Sequence, residues 1–339
     1  MIVNNIKLLH TYDVPIKYNS NESNFENIFI LDNHNNNINN ITYSCPIYFD
    51  EKILKTELMR RNIINIDNAF LFYSFMYQLA FGHFIEQCIP KINFFMTIKN
   101  TIKNIKFCIP KKRYNALTKE IVKFLEINED DLIILNEDTT YIVNNLYYKN
   151  YDCADFNIDK IKSFNFIREK LGITPNIKQT RNIYLQKNTN VIADTDCYTI
   201  GKTRKIENED ILIKILKDKF NFEIITLGEH SLFDKSLLLS DVNILINQTG
   251  GNMYNLFFSN TPKHILFLSN NSPLHVDYIN NILPKLNYYT QHSPKLLCYN
   301  STILNADKLN NMNDPFIVDI EYITNYCDTN YCDTNLLKG

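Results

Sequence analysis

The chain has 339 residues, with 35 Lys+Arg against 37 Asp+Glu and a formal net charge of −2. That length predicts two domains of about 150 residues each, and the balanced charge argues against binding to nucleic acid or a membrane surface by bulk electrostatics. With 45% hydrophobic and 13% aromatic residues, the chain is not collagen-like, coiled-coil or globally disordered.

Asparagine is in excess, at 50 residues, while there are six arginines, 7 glycines and no tryptophan. Asn, Ile, Lys and Tyr belong to AT-rich codons, so a biased genome, such as that of a large DNA virus or an AT-rich microbe, accounts for the excess. The N-terminus, Met1 to His10, lacks a basic start, a long apolar run and a small-residue cleavage site. No window approaches about 18 uninterrupted apolar residues. These features predict a cytoplasmic protein with no membrane span. Residues 19–42 are polar, with the run Asn33 to Asn40, and read as a loop or insertion.

From there apolar strand-like runs alternate with helix-like ones. Ala69–Tyr77 reads as a buried strand, the stretch from Gly82 as a helix and Ile105–Ile109 as a strand. Ala116–Leu125 has helical spacing, and Leu132–Leu135 and Tyr141–Leu146 are strand-like. A connecting helix, Ile158–Leu171, is closed by Gly172 and Pro175. A second block follows: strand Asn182–Leu185, helix Asn208–Phe220 with Asn208 as cap, strand Phe222–Leu227, helix Leu232–Ser240, strand Val242–Ile246, helix Asn252–Phe258 and strand His264–Leu268. Such alternation means βαβ units on parallel sheets. The expected fold is α/β, with two Rossmann-like domains facing a cleft. Residues 1–160 form the first, 161–300 the second, and 301–339 a C-terminal segment packing back on the first. Six of the eight cysteines, Cys45, Cys88, Cys108, Cys153, Cys197 and Cys298, are scattered and read as free thiols. Cys327 and Cys332 fall in a duplication, Asn325 to Asn335, that has no zinc-ligand spacing and reads as a mobile tail.

Three features can carry chemistry. The first is Gln248-Thr249-Gly250-Gly251-Asn252, between an apolar strand and a helix. Paired glycines permit close backbone approach, and the free N–H groups of a helix start favour an anion such as phosphate. It is neither a Walker A sequence nor GxGxxG, and a tight βα turn would look the same. The second is His83 and Glu86, three apart on one helical face, which suits a general base held by a carboxylate or a pair fixing the helix start. The third is Arg204, ahead of a helix N-terminus and preceded by Lys187 at a strand end. A guanidinium there can clamp a diphosphate, or simply lie on the surface. Asp194-Thr-Asp196 has a metal-binding look but sits in a polar loop, and no metal is inferred from it.

These features, in this order, resemble glycosyltransferase family 61, also called DUF563. The matching segments are His83-x-x-Glu86-x-x-x-Pro90, Ile183–Lys187 followed by Arg204-Lys-Ile-Glu-Asn208-Glu209, and Gly250-Gly251-Asn-Met-Tyr-Asn255-Leu-Phe-Phe258. The resemblance runs from about residue 70 to 270. The family usually has Arg where Lys187 stands, His where Thr249 stands, and Glu-Gln where Asp234-Lys235 stands.

The resemblance implies a GT-B architecture and an inverting, metal-independent transferase. Its co-substrate would be a nucleotide-sugar, most often UDP-linked, with no other cofactor. The donor would sit mainly on the second domain and a glycan or glycoprotein acceptor on the first. His83 would act as base or acceptor contact, with Glu86 orienting or replacing it. Lys187, Arg204, Thr249 and the amides of Gly250, Gly251 and Asn252 would hold the diphosphate. Asn208, Glu209 and Asn255 would contact the nucleotide or support its loop. Two alternatives stand beside this: a catalytically silent nucleotide- or carbohydrate-binding protein on the same fold, and an unrelated α/β enzyme using the glycine loop for another phosphorylated ligand.

Overall fold

The computed structural model describes residues 2–11, 16–18, 21–23, 27–32, 34, 48–49, 56, 58–74, 81–151, 157–173, 178–187, 205–228, 230–260, 262–270, 295–303 and 316–335. It divides into two compact units, Met1–Phe166 and Ile167–Gly339.

The first unit begins with β1 (Ile2–Thr11), β2 (Ile16–Tyr18), β3 (Asn21–Ser23), β4 (Asn27–Leu31) and β5 (Tyr48–Phe49), then β6 (Asn62–Leu71), β7 (Ile105–Pro110), β8 (Leu132–Leu135) and β9 (Thr139–Tyr147). Six of these form one sheet in the order β4-β1-β9-β6-β7-β8, and β3-β2-β5 form a small second one. β6 is parallel to both β7 and β9, β7 is parallel to β8, and β1 is antiparallel to β4 and β9. From β6 the chain steps through β7 and β8 on one side, then returns to β9 on the other. The carboxyl ends of β6 and β9 therefore flank a topological switch point, where open α/β sheets bind ligands.

Between β6 and β7 run a short α turn (Phe81–His83), a π-helical turn (Phe84–Cys88) and α1 (Lys91–Lys99). α2 (Ala116–Phe124) is held by a capping box in which Asn115 and Thr118 exchange side-chain and backbone bonds. α3 (Ile158–Lys170) follows β9. The core stacks Phe70, Phe95 and Phe107 with ring centroids 4.8–5.3 Å apart.

The second unit contains β10 (Arg181–Leu185), α4 (Glu209–Phe220), β11 (Glu223–Ile225), α5 (Leu232–Leu238), β12 (Val242–Gln248), a 3₁₀ segment (Gly251–Phe258), β13 (His264–Asn270), β14 (Lys295–Ile303), β15 (Phe316–Ile317) and α6 (Ile320–Asn335). The sheet order is β11-β10-β12-β13-β14-β15. β10 to β14 are parallel and β15 is antiparallel to β14. This is the doubly wound order 2-1-3-4-5 with its switch point between β10 and β12. α4 closes with Asn221 in the left-handed conformation. At the opposite end of the sheet from the switch point, Arg181 makes a two-pronged bond to Glu223 and a further one to Asp241, which ties β10, β11 and the start of β12 together.

Four expectations change. Two strands, β3 and β4, lie inside the stretch read as a loop, and most of the Asn33–Asn40 run is outside the described residues. β4 exists through its partner: Ile30 and Leu31 are fully buried beside β1, a long-range pairing that local polarity hides. The strand expected at Ala69–Tyr77 starts earlier, at Asn62, and Phe75 onward to Leu79 is outside the described residues. The helix expected at Asn252–Phe258 is 3₁₀, with Met253 N–H bonding to Gly250 O. The duplication expected as a mobile tail instead lies in α6, which follows β15. Phe316, Val318, Ile323, Tyr326 and Cys327 join Leu212 and Leu216 of α4 in the second unit's core. The 3.6-residue period brings Ile323 and Cys327 to one face, which the repeat of Tyr-Cys-Asp-Thr-Asn obscures. The described cysteines Cys88, Cys108 and Cys327 are buried and form no disulfide. No helix among the described residues is long and apolar enough to cross a membrane.

Candidate functional site

In the first unit the polar residues gather at the β6/β9 switch point. His83 is half-buried on the short α turn, and Glu86 lies in the π turn. A π turn widens the helix by one residue and recurs at functional sites. Glu86 Oε2 accepts from Lys160 Nζ of α3 at 2.9 Å, with the two side chains 1% and 0% exposed. Gln87 Oε1 accepts from Ser74 Oγ at 2.6 Å, which fastens the turn to the chain leaving β6. Burial holds the His83 imidazole below its ordinary pKa, against a smaller upward pull from Glu86. That makes it a neutral base at neutral pH, the protonation state a proton acceptor needs.

The first turns of α3 fix this region. Asp159 accepts from Lys149 at 2.5 Å, from the Tyr151 hydroxyl at 2.6 Å and from Asn93 at 2.7 Å. Ser163 accepts from the Asn93 backbone and donates to Pro90 O. Lys91, fully buried, donates to Lys149 O, and its ammonium lies 3.9 Å from the Tyr148 ring centroid.

Burial pushes the Lys91 amine down to about 7, against a smaller opposing pull from Cys88. In the unfolded chain it titrates near 10.5. Between pH 7 and 10.5 unfolding therefore takes up a proton, so stability rises with pH by up to about 1.4 kcal/mol per pH unit from this group. Below pH 7 both states are protonated and the slope vanishes. The unfolding free energy of the wild type minus that of Lys91→Met, measured by urea titration across pH 7–10, should rise with pH with that slope. Parallel curves would refute the assignment.

In the second unit, β10 and β12 run side by side, with Leu185 opposite Asn247. Lys187, two residues past Leu185, and Thr249-Gly250-Gly251, just past Asn247, thus leave the sheet at the same edge, beside the switch point. Thr249 N–H bonds Leu268 O at 2.9 Å. Gly250 adopts φ 139°, which side chains rarely tolerate, and opens the 3₁₀ segment. Asn252 is half-buried, and its carbonyl accepts from Asn255 Nδ2 at 3.0 Å. At the far end of the segment, Arg168 donates to Phe257 O and Ser259 O, pinning the terminal carbonyls.

Glu209, the first residue of α4, accepts from the Tyr184 hydroxyl at 2.6 Å and from Gln186 at 3.3 Å. Burial, and after it the neighbouring Glu209 carboxylate, push the Tyr184 phenol well up. Asn208 stands at the cap position, but its side chain does not bond the helix. Its amide and carbonyl instead engage Val318 O and Val318 N at 2.8 and 3.0 Å. The segment is also bridged by Phe316 N–H to Lys205 O and Glu207 N–H to Phe316 O. Arg204 and Asp194-Thr-Asp196 lie outside the described residues.

The structure thus groups His83 and Glu86 in one unit and Lys187, Glu209 and Thr249 to Asn255 in the other. Sequence reasoning missed Lys160, Lys91, Asp159 and Asn247. The signal for Lys160 was present: it occupies the helical stripe of Phe164, Ile167 and Leu171, all buried, so a lysine stands where spacing asks for an apolar residue.

A family model described as Glycosyltransferase 61 matches residues 81–266, more than half of the chain and spanning both clusters. No curated protein matches the chain.

Proposed function

The chain belongs to glycosyltransferase family 61, and from that premise we propose that it moves a sugar from a UDP-sugar to a hydroxyl of a glycan or glycoprotein, with inversion and with no metal or further cofactor. The architecture in this reading is GT-B-like, with an acceptor-side first unit and a donor-side second unit. The observation that carries it is topological: Lys187 and the Gly250-Gly251 turn emerge together at the second unit's switch point, at the start of a helical segment, and the first N–H groups of a helix have no partner within it.

In the reaction, the acceptor oxygen bonds the anomeric carbon as the bond to the diphosphate oxygen breaks. The hydroxyl proton passes to His83. Glu86, buried on Lys160, orients the turn that carries His83 rather than meeting the acceptor. The charge that develops on the departing diphosphate is met by Lys187, Arg204 and the amides of Gly250, Gly251 and Asn252, with Thr249 lining the turn. Glu209 is held by Tyr184 and Gln186 and offers its remaining lone pairs to the ribose hydroxyls. Asn208 and Asn255 brace the two loops.

A panel of nucleotide-sugars, read by released nucleotide and by thermal shift, tests this. UDP at 100 times its Kd should stabilise the fold by about 2.7 kcal/mol, and one UDP-sugar should turn over. UDP binding without turnover of any donor would instead favour a silent nucleotide-binding protein, a reading motivated by Lys187 and Thr249 standing where the family usually has Arg and His.

A further inference from the structure

Strand β12 is buried along its whole length, yet carries two asparagines, Asn243 and Asn247. The fold satisfies the first: Asn243 Nδ2 donates to Asn182 Oδ1 at 3.2 Å. Asn247 is 0% exposed, and among the described residues neither its Oδ1 nor its Nδ2 has a hydrogen-bond partner. Its register neighbours, Leu185 and Phe267, are apolar and fully buried. Packing alone would favour leucine there, since a buried unpaired amide loses its hydration and gains nothing.

The residue's position gives the reason. Asn247 is the rung of β12 next to the switch point, three residues before the Gly250 turn. The element that follows is a 3₁₀ segment, whose hydrogen bonds are weaker than α-helical ones. Within that segment Asn255 Oδ1 is a second buried atom without a partner among the described residues. A carboxamide presents both N–H donors and an oxygen acceptor. A diphosphate offers acceptors only and would leave Oδ1 unpaired. A nucleobase edge or ribose hydroxyl offers both kinds of group.

We propose that Asn247 recognises the nucleoside part of the donor, its carboxamide pairing with a group that both donates and accepts when the 3₁₀ segment yields about Gly250. This rests on the donor-site reading above and adds a residue and a substrate moiety to it.

The test is Asn247→Leu, close in size and apolar, measured by thermal unfolding and by calorimetric titration with UDP and with pyrophosphate. The melting temperature should equal or exceed that of the wild type. UDP affinity should fall about tenfold or more, and pyrophosphate affinity should stay unchanged. Equal UDP affinity in the two proteins overturns the proposal. So does a parallel loss of UDP and pyrophosphate, which would place the amide on the diphosphate or on the loop's shape, and so does a lowered melting temperature, which would give the amide a partner within the fold. If the leucine variant does not fold, Asn247→Ser decides by the same contrast between UDP and pyrophosphate. A wild type that binds no UDP removes the donor-site reading as well, whereas binding by wild type and variant alike removes only the role of Asn247.

Discussion

Lys160→Met should destabilise the protein by about 3–5 kcal/mol, the range for removing one partner of a buried ion pair. The reasoning starts from burial. Glu86 and Lys160 are 1% and 0% exposed and 2.9 Å apart, so neither charge retains water. Without the lysine, the carboxylate stays buried with its ion-pair partner gone, in a turn that Gln87 also anchors on Ser74. The double variant Glu86→Gln/Lys160→Met removes both charges and should recover most of the loss, because a buried pair is worth little against well-packed neutral groups. Urea unfolding of the two single variants and the double gives the coupling energy. A Lys160→Met loss below about 1 kcal/mol, the value for an exposed pair, would mean that the carboxylate finds water or another partner.

The same pair marks how far local pattern carries. Helix α3 was legible because Phe164, Ile167 and Leu171 recur at helical spacing and Gly172 closes it with φ 66°. That Lys160 belongs to the buried stripe depends on Glu86, 74 residues earlier, and no local rule supplies such a partner. The parallel strands β10, β12 and β13 were legible as short apolar runs bounded by turn residues. The antiparallel strands β1 and β4 were not: Asn4 and Asn5 interrupt β1, β4 lies in a polar stretch, and β4 is specified by its pairing with β1, which pairs in turn with β9. The glycine turn was found because two of 7 glycines fall there. The 3₁₀ form of the segment after it was not, since Met253 to Phe258 are all buried and an unbroken buried run carries no period to separate 3₁₀ from α. For Asn208, the rule that places asparagine at helix starts gave the right position and the wrong bond: a tertiary partner, Val318, takes the side chain instead.

The second large effect concerns His83. On the proposed mechanism, His83→Ala should lower kcat by about 10²–10⁴-fold, the usual contribution of one positioned base, and leave UDP affinity within a small factor. The separation follows from the topology, since His83 belongs to the first unit's switch point while Lys187 and Gly250 belong to the second unit's. The pH profile carries an independent sign. A base must be unprotonated to act, and burial holds the His83 pKa below 6.5. The midpoint of the acid limb of wild-type transfer should therefore lie below pH 6.5, while the residual rate of His83→Ala should lose that acid limb. His83→Gln sharpens the test, because glutamine keeps polar contacts of similar reach but cannot accept the proton at any working pH. A His83→Gln enzyme with near wild-type kcat and the wild-type acid limb would move the base to another residue. With Glu86 committed to Lys160 and Gln87 to Ser74, that residue would lie beyond the turn that carries His83.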